Sequence, residues 1–181
     1  MYVVHNDVHT AEHSVEALIP FLQYYNENVQ IIPVLIPYTA FDRMDDIAEE
    51  FSKVVIKCFH DKSWGKDFMI LISNDAVHYG NEDWGGSNLA FLGDGKAGYY
   101  KAVEKEHKII QECFNGKLMK EKIKKFNEYT VNQNDLKKYK WTWCGRFSVS
   151  FGLLTSFYLN NSRNESTIAY PLDYATSIDH Y

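Results

Sequence analysis

Residues 68–80 read FMILISNDAVHYG, and the change of character at Ser73 decides the fold. The five apolar residues from Phe68 to Ile72 are too short a run for a helix and match a strand buried on both faces. Upstream, residues 29–36 (VQIIPVLI) form a second β-branched run of the same kind. Pro33 within it removes a ladder donor and favours an edge or a bulge. Around these two runs the spacing is helical. Residues 11–25 place Val15, Leu18, Ile19 and Leu22 on one stripe behind Thr10 as N-cap. Residues 42–59, 99–114 and 118–129 carry similar stripes, residues 134–139 allow a short helix, and residues 145–159 form an apolar helix opening just after Cys144. Residues 166–178 read as strand, then turn. Alternating strands and helices predict an α/β layered domain. Three or four strands make a thin central sheet, so the chain reads as part of a larger domain.

The chain has 181 residues, 45% hydrophobic and 24% charged, a composition that builds a folded core rather than a disordered segment. Aromatic content is high, with 13 Tyr and 11 Phe. A formal charge of −5 opposes nucleic-acid binding, which relies on a basic surface. The basic run at residues 117–125 has Leu118, Met119, Ile123 and Phe126 at helical spacing and reads as a solvated helix face. Three separated cysteines, Cys58, Cys113 and Cys144, offer neither a disulfide framework nor a CxxC pair, which fits a reduced, cytoplasmic setting. No run reaches the ~18 apolar residues a membrane span needs, so a soluble protein is expected.

Three places carry side chains suited to chemistry. Asp75 and His78 follow the FMILI run in SNDAVHYG, where α/β sheets build their ligand sites. A carboxylate and an imidazole three residues apart can share a metal or act as acid and base, or serve as a turn cap and a backbone-bonded ring. The surrounding connection, residues 74–98, is long and contains Trp84 and Gly85-Gly86, a length typical of functional loops. Cys144 lies in TWCGR before a helix, where the dipole and Arg146 would favour the thiolate and make it the most reactive thiol. The competing reading is a small buried hydrophobe, which is also the reading for Cys58 and Cys113. The third place is HTAEHS, in which His9 and His13 are four residues apart beside Glu12. A surface helix start explains it equally well.

Taken in order, EHSVEALIPFL, IIPVLI, ISNDAVHYG, LKKYKWTWCGR and LDYATS resemble the MEMO family, also called AmmeMemoRadiSam system protein B, along nearly the whole chain. The resemblance implies a LigB-like fold, related to the class III extradiol dioxygenases: a three-layer sandwich with a central sheet between helices. It implies a cleft that holds iron or copper, with zinc less favoured. By the same resemblance Cys144 and His78 are metal ligands, Asp75, His78 and His13 are catalytic candidates, and Glu12-His13 borders the cleft. Phe147 stands where many relatives carry a His.

The family pattern begins with a further stretch, including a His-Ala-Gly-type motif, that has no counterpart here. Residues 1–181 therefore read as the C-terminal part of a single MEMO-like domain. On that reading this fragment holds metal weakly, leaves apolar sheet surface uncovered and tends to self-associate. Two functions compete. One is metal-dependent redox chemistry of dioxygenase type; the other is a non-catalytic module holding a peptide or protein in the same cleft.

Overall fold

The computed structural model describes residues 3–81 and 87–178 and divides into two compact units, Met1–Pro37 and Tyr38–Tyr181. Trp84, Gly85-Gly86 and the terminal His180-Tyr181 lie outside the described residues.

The first unit contains α1 (Asn6–Ala11), a single 3₁₀ turn (Glu16–Leu18) and α2 (Ile19–Tyr25). The continuous helix expected over residues 11–25 is thus replaced by two short ones. Two residues explain the break. The Glu12 carboxylate accepts the Ser14 N–H at 2.9 Å and turns the chain, and Pro20 falls in the first turn of α2. A proline has no N–H to give and fits a first turn but not a helix interior. Thr10, expected as an N-cap, instead donates its hydroxyl back to Asp7 O inside α1. Residues 29–36 belong to no described strand and are mostly exposed, Ile32 by 73%. They are not the buried strand that their composition predicted.

The second unit is built on four helices with a small sheet. α3 (Phe41–Cys58), α4 (Gly95–Phe114), α5 (Lys120–Thr130) and α6 (Arg146–Asn161) match the predicted helices to within a few residues. α6 is the hub: it packs against α3 and α5, and α5 packs against α4. The basic run becomes α5 as expected, burying Ile123, Phe126, Asn127 and Thr130 while Lys124 and Lys125 stay exposed. Residues 134–139 form turns rather than a helix, because the Asn132 and Asp135 side chains bond nearby backbone N–H groups and hold a non-helical path. The sheet is a two-residue antiparallel pair, β1 (Gly116–Lys117) with β2 (Ile168–Ala169). Mixed helices with this small sheet are compatible with an α/β class.

Residues 68–72 alternate between half-buried and exposed, with Met69 at 69% and Leu71 at 53%. They belong to no described strand, Phe68 making only an isolated bridge to Trp64, so the strand expected to be buried on both faces is not formed. Ile70 and Ile72 face α6, whose Gly152 leaves room for them: a Cβ there would stand 2.6 Å from Ile72 Cδ1. Among the described residues, no backbone group of Met69 to Ile72 finds a hydrogen-bond partner. The apolar run is real, but two-faced burial needs a second layer that sequence composition does not supply.

The core gathers Ala102, Ile109 and Cys113 of α4, Phe126 of α5, Val149 of α6, and Trp141 and Trp143 of the approach to α6. Cys113 is buried as predicted, whereas Cys58, also expected in the core, is exposed. The buried stripe of α3 runs through Met44, Ala48 and Ser52, and Cys58 at the last turn falls off it. Among the described residues, no helix is long and apolar enough to cross a membrane.

Burial pushes the Cys113 thiol up from an ordinary value of 9.0 to about 11. The folded protein therefore holds this proton more tightly than the unfolded chain. Its contribution, about 3 kcal/mol, is complete below pH 9 and is lost as pH rises through about 11. Urea unfolding between pH 8 and 11 should show stability falling across that window, with a flatter profile in Cys113→Val.

Candidate metal centre

The site sits where segment 68–77 meets the start of α6, and the junction is stitched by side chains. Asn74 Oδ1 accepts the N–H of Gly145, the N-cap of α6, at 2.9 Å. Ser148 Oγ reaches Ser73 O at 3.3 Å and Gly145 O at 3.0 Å. Gly145 has to be glycine: a Cβ would meet Asn74 Oδ1 at 2.6 Å, Asn74 Cβ at 2.7 Å and Ser148 Oγ at 2.9 Å. The glycine of Cys-Gly-Arg is thus the space through which one segment grips the other.

This grip places Cys144 against Asp75. The Asp75 N–H points at Cys144 Sγ at 3.1 Å, and Asp75 O lies 3.6 Å from the same sulfur. One turn on, His78 Nε2 is 3.5 Å from Asp75 Oδ2. His78 is anchored on both sides of its backbone by Thr142, whose carbonyl accepts the His78 N–H at 3.1 Å and whose hydroxyl donates to His78 O. Val77 and Trp143 form an antiparallel bridge beside it. Asp75, His78 and Cys144 each offer one ligand atom, and the three atoms lie within 4.8 Å of one another. The structure brings these sequence candidates together although 69 positions separate the first from the last.

Desolvation pushes the Cys144 thiol above its ordinary value, opposed by the backbone N–H groups of Asp75 and Gly145, while the Asp75 carboxylate pushes further up. This reverses the thiolate expected from the helix start and Arg146. Arg146 is turned away into the protein: it is buried, its guanidinium stacks on Tyr139 at 3.9 Å and Phe147 at 4.8 Å, and it donates to Leu136 O and Lys137 O. Phe147 likewise serves packing, meeting Tyr38 edge to face at 5.6 Å.

His13 and Glu12 belong to the first unit. There His13 is 91% exposed and 3.7 Å from Glu12, whose carboxyl is held below its ordinary value chiefly by the Ser14 N–H. His9 lies within α1 and His13 beyond its end, so the two do not share a helix face. His9 and Glu12 instead line one shallow pocket with Val15, Ile19, Ile31 and Pro33.

Two residues of the site escaped the sequence reading. Asn74 carries no sequence signal beyond its place next to Asp75. Glu106, with 0% exposure on α4, accepts hydrogen bonds from the indole N–H groups of Trp141 at 2.6 Å and Trp143 at 2.8 Å and from the Val77 N–H at 3.1 Å. A signal existed: a Glu inside the stripe Ala102, Ile109, Cys113, and two tryptophans whose indoles need an acceptor when buried.

A Gly145→Ala substitution should cost about 1–3 kcal/mol in urea unfolding, because the Asn74 and Ser148 side chains block the added methyl. Asn74→Gly, which removes both the Oδ1 and the Cβ that meet the added methyl, should relieve part of the loss in the double variant, a non-additivity that reads the contact directly.

The Memo-like protein family model matches residues 2–181. Curated relatives include MEMO1 family proteins of Sulfolobus acidocaldarius, 38% identical over 41% of this chain and 25% of the relative, and of Thermococcus kodakarensis, 32% identical over 40% and 24%. A third, from Metallosphaera sedula, is 36% identical over 41% of this chain and 25% of its own length. The chain thus spans about a quarter of the length of the curated relatives it matches. No solved structure matches it. With the family model covering the chain from residue 2 to its last residue, this protein belongs to the Memo-like protein family.

Proposed function

We propose that the chain binds a transition-metal ion, iron or copper ahead of zinc, in a cleft related to those of non-haem metal dioxygenases, and that the site serves metal-dependent redox chemistry. The convergence of Asp75, His78 and Cys144 ligand atoms within 4.8 Å carries this reading. A thiol, an imidazole and a carboxylate are a borderline donor set that suits these ions. Cys144 and His78 are the ligands, and Asp75 either joins them or orients the His78 ring, from which its Oδ2 is 3.5 Å. When bound, such an ion supplies Lewis-acid and one-electron chemistry at the cleft. The protein contributes the Cys144 thiol, whose proton a cation displaces, beside the Asp75–His78 pair. In the same reading the fold is the LigB-like three-layer sandwich, and the protein works in a reducing cytoplasm.

A second reading, peptide or protein binding, is favoured by segment 69–72. Its backbone groups are without partners among the described residues, and Met69 and Leu71 are exposed beside the site. An added strand would satisfy that backbone, whether from a partner peptide or a second copy.

Titration with Co(II), followed by absorption, separates the two. The metal reading expects a thiolate-to-cobalt band that disappears in Cys144→Ser, with affinity at least about tenfold weaker in His78→Ala. An undiminished band in Cys144→Ser sinks it. Peptide capture that survives both chelation and Cys144→Ser favours the second reading.

A further inference from the structure

Glu106 is set back on α4, away from both segments that carry the metal site, yet it holds each of them. Its Oε1 accepts the Trp141 indole at 2.6 Å and the Trp143 indole at 2.8 Å, and its Oε2 accepts the Val77 N–H at 3.1 Å and shares the Trp143 indole at 3.0 Å. Val77 immediately precedes His78, and Trp143 immediately precedes Cys144. The same two residues form the antiparallel bridge between the segments. Packing does not call for a carboxylate here, since the other buried positions of α4 are Gly98, Ala102, Ile109 and Cys113. Chemistry does. A carboxylate only accepts, so one group can gather three N–H donors, which an apolar residue would leave stranded in the core.

We propose that Glu106 is the positioning residue of the Asp75–His78–Cys144 group, fixing the spacing of Cys144 and His78 by clamping the residues just before them. The proposal rests on the metal reading for its consequence, but the clamp also sets how Cys144 Sγ lies against the Asp75 N–H. Lys105 closes the clamp from outside, its Nζ 3.7 Å over the Trp141 ring.

Glu106→Gln tests this, since it keeps the shape and turns an NH₂ group toward N–H donors. The folded variant, checked by far-UV circular dichroism and cooperative urea unfolding, should bind Co(II) about tenfold more weakly, with a shifted thiolate-to-cobalt band. Iodoacetamide should label Cys144 several-fold faster while Cys113, buried on the same helix, stays as protected as before. Cys113 is the gauge of general loosening. Parallel acceleration of Cys113 and Cys144 would mean that Glu106 merely stabilises the core, and would overturn the proposal. So would a folded variant with unchanged cobalt affinity, spectrum and Cys144 labelling. Should Glu106→Gln fail to fold, Trp143→Phe, which deletes one donor and leaves the carboxylate the other two, is read by the same criteria. Failure of the metal reading looks different: the unmodified protein then gives no thiolate-to-cobalt band, and the Cys144-against-Cys113 labelling ratio decides the role of Glu106.

Discussion

A carboxylate with no exposed surface must be compensated from within, and in this protein three N–H groups from two separate segments do so at Glu106. Removing such a group from water costs several kcal/mol unless its lone pairs are taken up again. The condition is strict and geometric. Trp141 and Trp143 must point the same way, which an extended backbone with two-residue periodicity provides, and Val77 must lie alongside them. Once these are set, Trp141 and Trp143 fill the core against Phe126 and Ile109, and the chain is aimed at the start of α6. Packing, bridge and site geometry therefore share a single electrostatic constraint.

The site is made from the ends of elements rather than from their middles. Segment 68–77 delivers Asp75 and His78, and the entry to α6 delivers Cys144, as expected where loops on a rigid scaffold carry function. What turns two loose ends into one place is the Asn74–Gly145 contact, reinforced by Ser148. Cys144 remains exposed, yet its thiol is held above its ordinary value, and it lies close enough to the Asp75–His78 pair for one cation to reach all three. Arg146 takes no part in this electrostatics. It stacks on aromatic rings and ties down the carbonyls of Leu136 and Lys137, so the last residue of Cys-Gly-Arg braces the approach to the helix.

The helices of the second unit were legible because their apolar spacing is local and strong, from α3 through α6. The helix expected at residues 11–25 was misread for an equally local reason, the proline at position 20 and the Glu12 turn, whose effect outweighs the hydrophobic stripe. Neither apolar run is a buried strand: residues 29–36 are mostly exposed, whereas residues 68–72 alternate in burial. In the second run the half-buried face is the one that meets α6, where Ile70 and Ile72 fit because position 152 is a glycine.

By itself the sequence determined the four helices of the second unit, the family, and the three residues that could share a cation, since local periodicity, motif order and residue type survive without coordinates. The tertiary structure alone decided that those three do meet, that Arg146 is a brace, and that Glu106 is joined to the site. The reason is one of range. Helical periodicity is written in contacts three and four residues apart, whereas Val77 lies 29 positions from Glu106, and Asp75 lies 69 from Cys144. Contacts of that separation are fixed by how helices pack and where buried donors find an acceptor, and no stretch of sequence spells them out.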